Sequence, residues 1–291
     1  MKRYPSILER VAVVTGGSSG IGQATARLLK TKGWRVVATA RQPADLEALE
    51  REGIESIAMD LSRADSVEIA AEDILSRCHG KLGAVVNNAG FGQPGALEDL
   101  SRDALRRQFE TNLFGMVDFT NRLIPSMRQQ GRGRIVLLSS VVGRVAIPFM
   151  GAYCASKYAV EAAGDVWRME LANAGISVTL VEPGPIASSF RKRVVGEAHR
   201  DLAMETSVFA RQYARDWQAE VRTFRRPTDV FRKPPEAVAK VIVRALESRW
   251  PKARIPVTGA AWLGVLAARF LPTRWTDAVM ASKVIGRSPA D

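Results

Sequence analysis

The chain has 291 residues, 46% of them hydrophobic and 25% charged, a composition typical of a soluble globular protein with one α/β domain and an appendage. Its net charge is +12, and residues 188–255, with 16 Lys and Arg against 8 Asp and Glu, contribute +8 of that. Two cysteines and two histidines exclude a disulfide framework and a zinc cluster, so we expect no metal site and a reducing, cytoplasmic setting.

Short β-branched runs alternate with amphipathic helical stretches from Val11 onward. The first apolar run is too short for the core of a signal peptide and is interpreted as a strand. The predicted strands are VAVVTG, WRVVATA, IESIAMDL, LGAVVNNAG, GRIVLLSS and GISVTLVEPG. Helical patterns separate them, and the two longest run from about 97 to 129 and from about 153 to 174. This order predicts a doubly wound parallel sheet with helices on both faces and a ligand crevice at the carboxyl ends of its strands.

The regular alternation ends after Gly184. Residues 188 to about 233 show no steady strand period, which predicts an irregular lid or binding segment over the crevice. This segment mixes arginines with Phe190, Phe209, Tyr213, Trp217, Phe224 and Phe231. A helix, PEAVAKVIVRALESR, and a last short strand, ARIPVTG, follow. We therefore divide the chain into a main domain over residues 1–255 and a C-terminal extension over residues 256–291.

Two features of the C-terminal third have alternative interpretations. The tail over residues 260–286 contains two short amphipathic helical patterns, which suit either packing and subunit contact or docking on a membrane surface. The basic stretch is either an ordinary solvated surface or faces an anion: a lipid headgroup, an acidic carrier protein, or a carboxylate or phosphate on a substrate. We expect no nucleic acid partner, because no aromatic-interleaved basic motif accompanies the charge. No apolar run reaches the roughly 18 residues of a membrane span.

A glycine-rich turn, TGGSSGIG, joins the first strand to the first helix. Because Gly16, Gly20 and Gly22 lack Cβ atoms, a pyrophosphate can approach both the turn and the amide end of the helix. A glycine-rich turn alone is weak evidence for a nucleotide. Its position between a strand and a helix makes it a predicted dinucleotide site.

The end of the second strand bears on the choice of cofactor. Folds that prefer NAD usually carry an acidic residue there to bind the ribose 2′-hydroxyl. This chain has Ala40 and Arg41 instead. A guanidinium beside an uncharged position would attract a 2′-phosphate, which predicts NADP(H). The alternative is an ordinary surface arginine.

Tyr153 and Lys157 lie four residues apart in YCASK and would share one face of a helix. By itself this pair indicates no more than a polar face. Use of a tyrosine as a base near neutrality would require its pKa to fall by about three units from 10, and a fixed cation nearby would favour that shift.

From Thr15 to Ser188 these motifs resemble, in family order, those of the short-chain dehydrogenase/reductase superfamily. TGGSSGIG is similar to its TGxxxGxG turn, and Tyr153 and Lys157 to its catalytic Tyr and Lys. Further similar motifs are NNAG with Asn87, MDL with Asp60, ETNLFG with Asn112, LLSS with Ser140, and EPGPIAS over Glu182–Ser188. Ser140 precedes Tyr153 by 13 residues, as in the family, which selects it over the adjacent Ser139.

The resemblance implies a Rossmann-type fold and direct hydride transfer between NADP(H) and a carbonyl or alcohol. The family's catalytic set corresponds to Asn112, Ser140, Tyr153 and Lys157. By this resemblance Tyr153 is the acid/base and Ser140 binds the reacting oxygen. Lys157 stabilises the phenolate and holds the nicotinamide ribose, and Asn112 holds a water that links Lys157 to solvent. Asn88 and Cys154 are interpreted as structural. The residues assigned to the cofactor are Gly16, Ser18, Ser19, Gly20, Ile21, Gly22, Arg41, Asp60, Leu61, Asn87, Ala89, Gly90, Tyr153, Lys157, Pro183, Gly184, Ile186 and Ser188.

The substrate is less well determined than the reaction. YCASKYAVE, PGPI and the long tail are similar to the hydroxysteroid and retinol dehydrogenase-like branch, which implies a bulky apolar steroid-, retinoid- or lipid-like substrate. The alternative is a 3-oxoacyl reductase whose basic stretch docks an acidic acyl carrier. Two further alternatives are a catalytically silent, nucleotide-binding regulatory protein and a membrane-surface protein. The resemblance also implies a homodimer or homotetramer.

Overall fold

The computed structural model describes residues 2–188, 190–214 and 232–284. Within them, seven parallel strands form one sheet in the order β3-β2-β1-β4-β5-β6-β7. The strands are β1 Val11–Thr15, β2 Arg35–Ala40, β3 Glu55–Ala58, β4 Ala84–Asn87, β5 Gly133–Leu138, β6 Ile176–Glu182 and β7 Arg254–Pro256. The predicted doubly wound parallel sheet is confirmed.

Eleven α-helices are present in the described residues. They are α1 Gly20–Thr31, α2 Pro43–Arg51, α3 Ala64–Arg77, α4 Arg102–Phe109, α5 Gly115–Gln129, α6 Gly151–Glu170, α7 Phe190–Asp201, α8 Ala210–Tyr213, α9 Pro235–Glu247, α10 Gly259–Phe270 and α11 Thr273–Val284. None of the helices in this part of the chain has the length and apolar character needed to cross a bilayer.

The sheet is buried on both faces, which explains why its strands are almost continuously apolar. On one face α3, α5 and α6 contribute Val67, Phe119 and Val160 to a core cluster. On the other face α1 and α9 contribute Leu29 and Ile242 to a second cluster. These two layers hold the strand ends in place on either side of the crevice.

The strand order reverses between β1 and β4. Val14 of β1 pairs with Ala38 of β2 on one side and with Val86 of β4 on the other. The chain then continues outward in opposite directions from these two strands, so their carboxyl ends diverge into a crevice. The glycine-rich turn follows β1 at this point.

The long helical region predicted from about 97 to 129 is interrupted. A π-helical turn, Glu110–Phe114, separates α4 from α5. Single π turns commonly occur at functional sites because they displace one side chain from the regular helical register. Here the displaced segment contains Asn112.

The prediction of an irregular lid was wrong for two stretches, which form α7 and α8. On α7, Val194 and Ala198 are buried at helical spacing, and Leu202 continues the series. They pack with Tyr213 and Phe149 in a third cluster. The period is that of a helix and not of a strand, and the many intervening charges obscure it. Trp217, Phe224 and Phe231 lie outside the described residues.

Candidate active site

The glycine-rich turn has the backbone conformation that its glycines permit. Gly16 and Gly20 have φ angles of +64° and +55°, in the left-handed region that disfavours other residues. A Cβ on Gly22 would overlap the carbonyl oxygen of Gly16. Asn88 Nδ2 donates to the carbonyl oxygens of Thr15 and Gly16, at 2.9 and 3.1 Å, and fixes the turn from the side of β4. Asn88 is thus structural in this geometry, as predicted.

The first turn of α1 follows directly. Ser19 is the N-cap residue, but its side chain does not cap the helix. Its Oγ instead accepts a 3.0 Å hydrogen bond from Nη1 of Arg193 on α7. The first amide groups of α1, which includes Ile21, have no intrahelical acceptor, and the Arg193 guanidinium binds Ser19 at this end of the helix. Ser18 and Ser19 are both half-buried in the turn.

Sequence reasoning missed Arg193. Its only sequence signal was membership of the basic stretch, which contains many arginines. The residue as a whole is exposed, but partial withdrawal of its guanidinium from solvent, together with the charge of Arg41, lowers its pKa. Two cations that approach each other in this way form a favourable site for an anion.

The residues assigned to the adenosine half lie at the carboxyl ends of β2 and β3. Ala40 is buried at the end of β2, and Arg41 is exposed directly after it. The Asp60 carboxylate accepts from the amide and hydroxyl of Ser62, at 2.9 and 2.8 Å. Leu61 is buried beside it. This edge of the crevice thus consists of short turns that local hydrogen bonds hold in place.

The NNAG motif connects β4 to β1. The amides of Asn88 and Ala89 both donate to Thr15 Oγ1, at 3.0 and 2.9 Å. Asn87 Nδ2 donates to Thr120 Oγ1, whereas Asn87 Oδ1 is buried with no hydrogen-bond partner among the described residues. A Cβ on Gly90 would lie 3.0 Å from Asn112 Oδ1. The unpaired buried oxygen and the glycine turn fit a polar nucleotide ligand in this crevice.

The segment after β6 lines the same crevice. The carbonyl oxygen of Pro183 accepts from the amide of Val141 at 3.0 Å, and a Cβ on Gly184 would overlap Thr258 Oγ1. Ser188 approaches the start of α1, because a Cβ on Gly20 would lie 3.4 Å from its Cβ. The structure therefore brings the beginning and the end of the predicted motif region together. Ile186, which forms an isolated bridge with Lys233, lies between Gly184 and Ser188.

Tyr153 and Lys157 lie one turn apart at the start of α6. The Lys157 Nζ is 5.8 Å from the centre of the Tyr153 ring and donates to the carbonyl oxygen of Leu138 at 2.6 Å. Lys157 is only 6% exposed. Burial lowers its pKa to about 8, against the opposing charge of Glu161.

Ser140 approaches Tyr153 from the end of β5. It begins the 3₁₀ turn Val141–Gly143, and its hydroxyl accepts from the amide of Val142 at 3.3 Å. Burial raises the pKa of Tyr153 above its ordinary value, and the nearby Ser140 hydroxyl, which favours the phenolate, only partly opposes that rise. The adjacent Ser139 hydroxyl is buried, with no hydrogen-bond partner in the described part of the chain. Ser140, and not Ser139, therefore contacts the phenol.

Use of Tyr153 as a base requires its pKa to fall, whereas burial raises this pKa. In the protein by itself, Tyr153 is a neutral phenol over a wide pH range. That state suits donation of a proton to an oxygen that gains negative charge.

Asn112 occupies the π turn and contacts two neighbouring segments. Its Oδ1 accepts from the amide of Phe91 at 3.1 Å, and its Nδ2 donates to the Phe91 carbonyl oxygen at 2.9 Å and to Ser156 Oγ at 3.2 Å. Ser156 lies beside Lys157 on α6. The Asn112 side chain thus connects the segment after β4 to α6.

An apolar wall borders Tyr153 on the side of α7. The Phe190 ring lies 5.5 Å from the Tyr153 ring. A Cβ on Gly92 would lie 2.9 Å from Phe190, 3.2 Å from Met150 and 3.3 Å from Val194. Space beside the phenol is therefore lined by α7 and by the start of α6.

A buried charge network lies behind the site. Glu182 is fully buried, 3.3 Å from Arg144 and 3.5 Å from Arg254, and Arg254 also pairs with Glu161 at 2.8 Å. Burial, together with the charge of Glu161, raises the pKa of Glu182 to about 7. Among the residues that the structure describes, no group of three His, Cys, Asp or Glu could hold a metal ion.

Comparison with known proteins yields a consistent set of matches. The pattern of the short chain dehydrogenase family matches residues 10–198. The chain is 38% identical over 274 residues, 94% of its length and 95% of the relative's, to the "Uncharacterized oxidoreductase YbbO" of Escherichia coli. It is 36% identical over 181 residues, 62% of this chain and 65% of the relative, to the 3-ketodihydrosphingosine reductase of Bacteroides thetaiotaomicron.

Two solved structures are similar over most of the chain. A short-chain dehydrogenase from Streptomyces avermitilis has a TM-score of 0.74 at 28% identity, covering 94% of this chain and 98% of that one. An alcohol dehydrogenase from Thermococcus sibiricus, complexed with 5-hydroxy-NADP, has a TM-score of 0.68 at 25% identity, covering 86% and 97%.

Proposed function

Because this chain belongs to the short-chain dehydrogenase family, and is thus an oxidoreductase by descent, we propose that it interconverts a carbonyl and an alcohol with NADP(H) and uses Tyr153 as the acid/base. The observation that carries the proposal is the convergence of Ser140, Tyr153 and Lys157 beside the glycine-rich turn. Ser140 follows β5, Tyr153 and Lys157 lie on α6, and the turn follows β1.

We propose the reductive direction, because a neutral Tyr153 is the form that can donate a proton. When bound, the reduced nicotinamide supplies the hydride that the carbonyl carbon accepts. The hydroxyls of Ser140 and Tyr153 hold the carbonyl oxygen, and Tyr153 Oη gives its proton to that oxygen. Lys157, whose pKa is about 8, is largely protonated at neutral pH and stabilises the phenolate left behind. The water relay from Lys157 to solvent at Asn112 belongs to this proposal.

Cofactor choice rests on charge. The end of β2 has no carboxylate to accept from a ribose 2′-hydroxyl, and Arg41 follows it directly. Arg193 adds a second guanidinium from α7, at the Ser19 edge of the turn. We therefore propose NADP(H) over NAD(H), with Arg41 at the 2′-phosphate and Arg193 at the phosphates beside α1. The similar archaeal alcohol dehydrogenase is complexed with an NADP derivative, which supports this choice.

For the substrate we propose a bulky apolar ketone, aldehyde or alcohol. Phe190, Met150 and Val194 form an apolar wall beside Tyr153 and would favour such a group over a small polar one. The name of the Bacteroides relative gives a sphingoid ketone as its substrate, which supports a lipid-like class. The alternative is a 3-oxoacyl thioester, whose acidic carrier would face the basic stretch.

Subunit association is part of the proposal, as a homodimer or homotetramer. Val166 and Met169 on α6 are 46% and 63% exposed, which is unusual for large apolar side chains on a helix that packs on the central sheet. Burial of this face against a second copy would remove the exposed apolar area from water.

A panel of carbonyl compounds tests the proposed activity. Steroid, retinoid, long-chain aliphatic and 3-oxoacyl thioester substrates would each be assayed by NADPH oxidation. We expect turnover of at least one apolar ketone or aldehyde, with thioesters poorer. A folded protein that binds NADPH but oxidises it with no member of the panel would instead indicate a silent nucleotide-binding protein.

A further inference from the structure

The two C-terminal helices expose a concentrated apolar surface. Of the sixteen large hydrophobic side chains that the described residues leave exposed, six fall within α10, the start of α11 and the link between them. We define the C-terminal apolar surface as Trp262, Leu263, Leu266, Phe270, Leu271 and Trp275. Leu263 and Phe270 are 71% and 73% exposed. Single exposed apolar residues are ordinary, but a contiguous group of this size marks an interaction site.

The opposite side of α10 explains why these residues are not needed for the core. Ala261 is fully buried and lies against Gly184, because a Cβ on that glycine would be 3.4 Å from the Ala261 Cβ. One turn on, a Cβ on Gly264 would lie 2.9 Å from Val141. Small residues therefore face the domain, while the large ones face outward.

The contacts of α10 also locate the surface relative to the active site. Val141 follows Ser140 directly, and Gly184 belongs to the segment after β6 that lines the crevice. The helix that presents the C-terminal apolar surface therefore packs against the Ser140 turn on its other side. Whatever covers this surface lies close to the mouth of the crevice.

Charge decides between a second copy and a lipid surface. The described side chains of the two helices include Arg269 and Arg274 against Asp277, and the chain as a whole carries +12. A two-fold contact formed by these helices would leave at least one of the two arginines of each copy without an acidic partner from the other copy's helices, because each copy offers one aspartate for two arginines. An anionic bilayer would neutralise them, and Trp and Arg are side chains that sit well at the headgroup boundary.

We propose that the C-terminal apolar surface docks on an anionic lipid bilayer, with α10 and α11 lying in the interface and the crevice mouth facing the membrane. With 12 residues each, the two helices are too short to cross a bilayer, so their apolar side chains would enter only its surface. An apolar substrate could then pass from the bilayer to Tyr153 without crossing water, a consequence that rests on the proposed function. The docking itself does not.

Vesicle binding by the full chain tests the docking. The protein would be sedimented with vesicles of phosphatidylcholine alone and of phosphatidylcholine mixed with phosphatidylglycerol, at low and high salt. We expect binding to rise with the anionic lipid and to weaken with salt. Leu263→Glu and Phe270→Glu should each weaken it about tenfold or more, because each places a charge where a large apolar side chain enters the bilayer.

A matched control is available on the other side of the molecule. Ile69 on α3 is 66% exposed, so Ile69→Glu makes the same change at similar exposure. This variant should bind vesicles as the parent protein does. Equal weakening by Ile69→Glu would overturn the proposal, because net charge alone would then explain the effect.

Two further readouts separate the alternatives. Absence of binding to anionic vesicles at low salt overturns the proposal. Light scattering gives a second such outcome: conversion of a dimer to a monomer in Leu263→Glu and Phe270→Glu but not in Ile69→Glu. Turnover of a short water-soluble carbonyl should be unchanged in both variants, while turnover of a vesicle-dissolved apolar carbonyl should fall. If no carbonyl is turned over at all, vesicle binding still tests the docking by itself.

Discussion

Arg193 Nη1 and Ser19 Oγ are joined by a 3.0 Å hydrogen bond that connects α7 to the first turn of α1. Helix α7 therefore contacts the glycine-rich turn through a cation, at a helix end whose first amide groups have no intrahelical acceptor. A phosphate placed there would have donors on two sides.

The first prediction concerns NADPH affinity. Arg41→Ala should raise the Kd for NADPH about 5- to 150-fold, as expected for loss of a charge-assisted hydrogen bond, and should leave the Kd for NADH unchanged. The Kd values can be measured by quenching of tryptophan fluorescence. Equal effects on both cofactors would contradict a contact with the 2′-phosphate.

A separate prediction concerns Arg193→Gln, because Arg193 contacts the glycine-rich turn and not the end of β2. It should weaken NADPH and NADH alike if the guanidinium contacts the pyrophosphate. Arg200→Gln is the matched control on the same helix, since Arg200 pairs with Glu197 at 2.8 Å, away from the turn. Unchanged affinity for both cofactors in Arg193→Gln would remove this residue from the cofactor site.

The glycine-rich turn predicts a steric effect. Gly22→Ala places a Cβ against the Gly16 carbonyl oxygen, so the turn must move and cofactor binding should be lost. Gly196→Ala on α7 is the control, because a Cβ there meets nothing within 4 Å. Circular dichroism checks that both variants are folded, and cofactor titration measures the effect. Normal NADPH binding by folded Gly22→Ala would show that the turn does not contact the ligand.

The buried charge network predicts a pH dependence of stability. Because the pKa of Glu182 rises from 4.5 to about 7 on folding, the folded state binds the extra proton between these values. Its contribution is complete below pH 4.5 and is lost as the pH rises through 7, by up to about 3 kcal/mol. The Gln side chain of Glu182→Gln does not titrate, so this variant does not lose that contribution. The free energy of unfolding of the variant minus that of the parent should therefore increase from pH 5 to pH 8.

Urea denaturation at several pH values measures that difference. Asp103→Asn serves as the control, because the Asp103 side chain is 76% exposed and its removal should leave the pH profile parallel to that of the parent. Parallel profiles for Glu182→Gln as well would mean that Glu182 does not titrate in this range.

Local patterns in the sequence were sufficient for much of the fold and of the site. The strands were predicted because both faces of the sheet are buried, which makes their apolar runs continuous. The shared face of Tyr153 and Lys157 follows from helical spacing alone. The pairing of Ser140 with Tyr153 required resemblance to a family, because no local rule connects residues on different elements.

What the sequence did not reveal depends on tertiary contacts. The hydrogen bond between Arg193 and Ser19 spans 174 residues, and no pattern distinguishes Arg193 from its basic neighbours. The pKa of Tyr153 rises because the folded chain buries the phenol, an effect that only the assembled site shows. The helical period of α7 was present in Val194 and Ala198, but charged residues between them obscured it.

The most direct test of the central claim is the turnover of Tyr153→Phe, measured together with its affinity for NADPH. Tyr158→Phe is the control, because Tyr158 lies on the same helix and is 45% exposed. We expect Tyr153→Phe to bind NADPH as the parent does while kcat falls about 10²- to 10⁴-fold, the range for loss of a general acid. Turnover close to that of the parent, in a folded variant that binds cofactor, would contradict the assignment of Tyr153 as the acid/base.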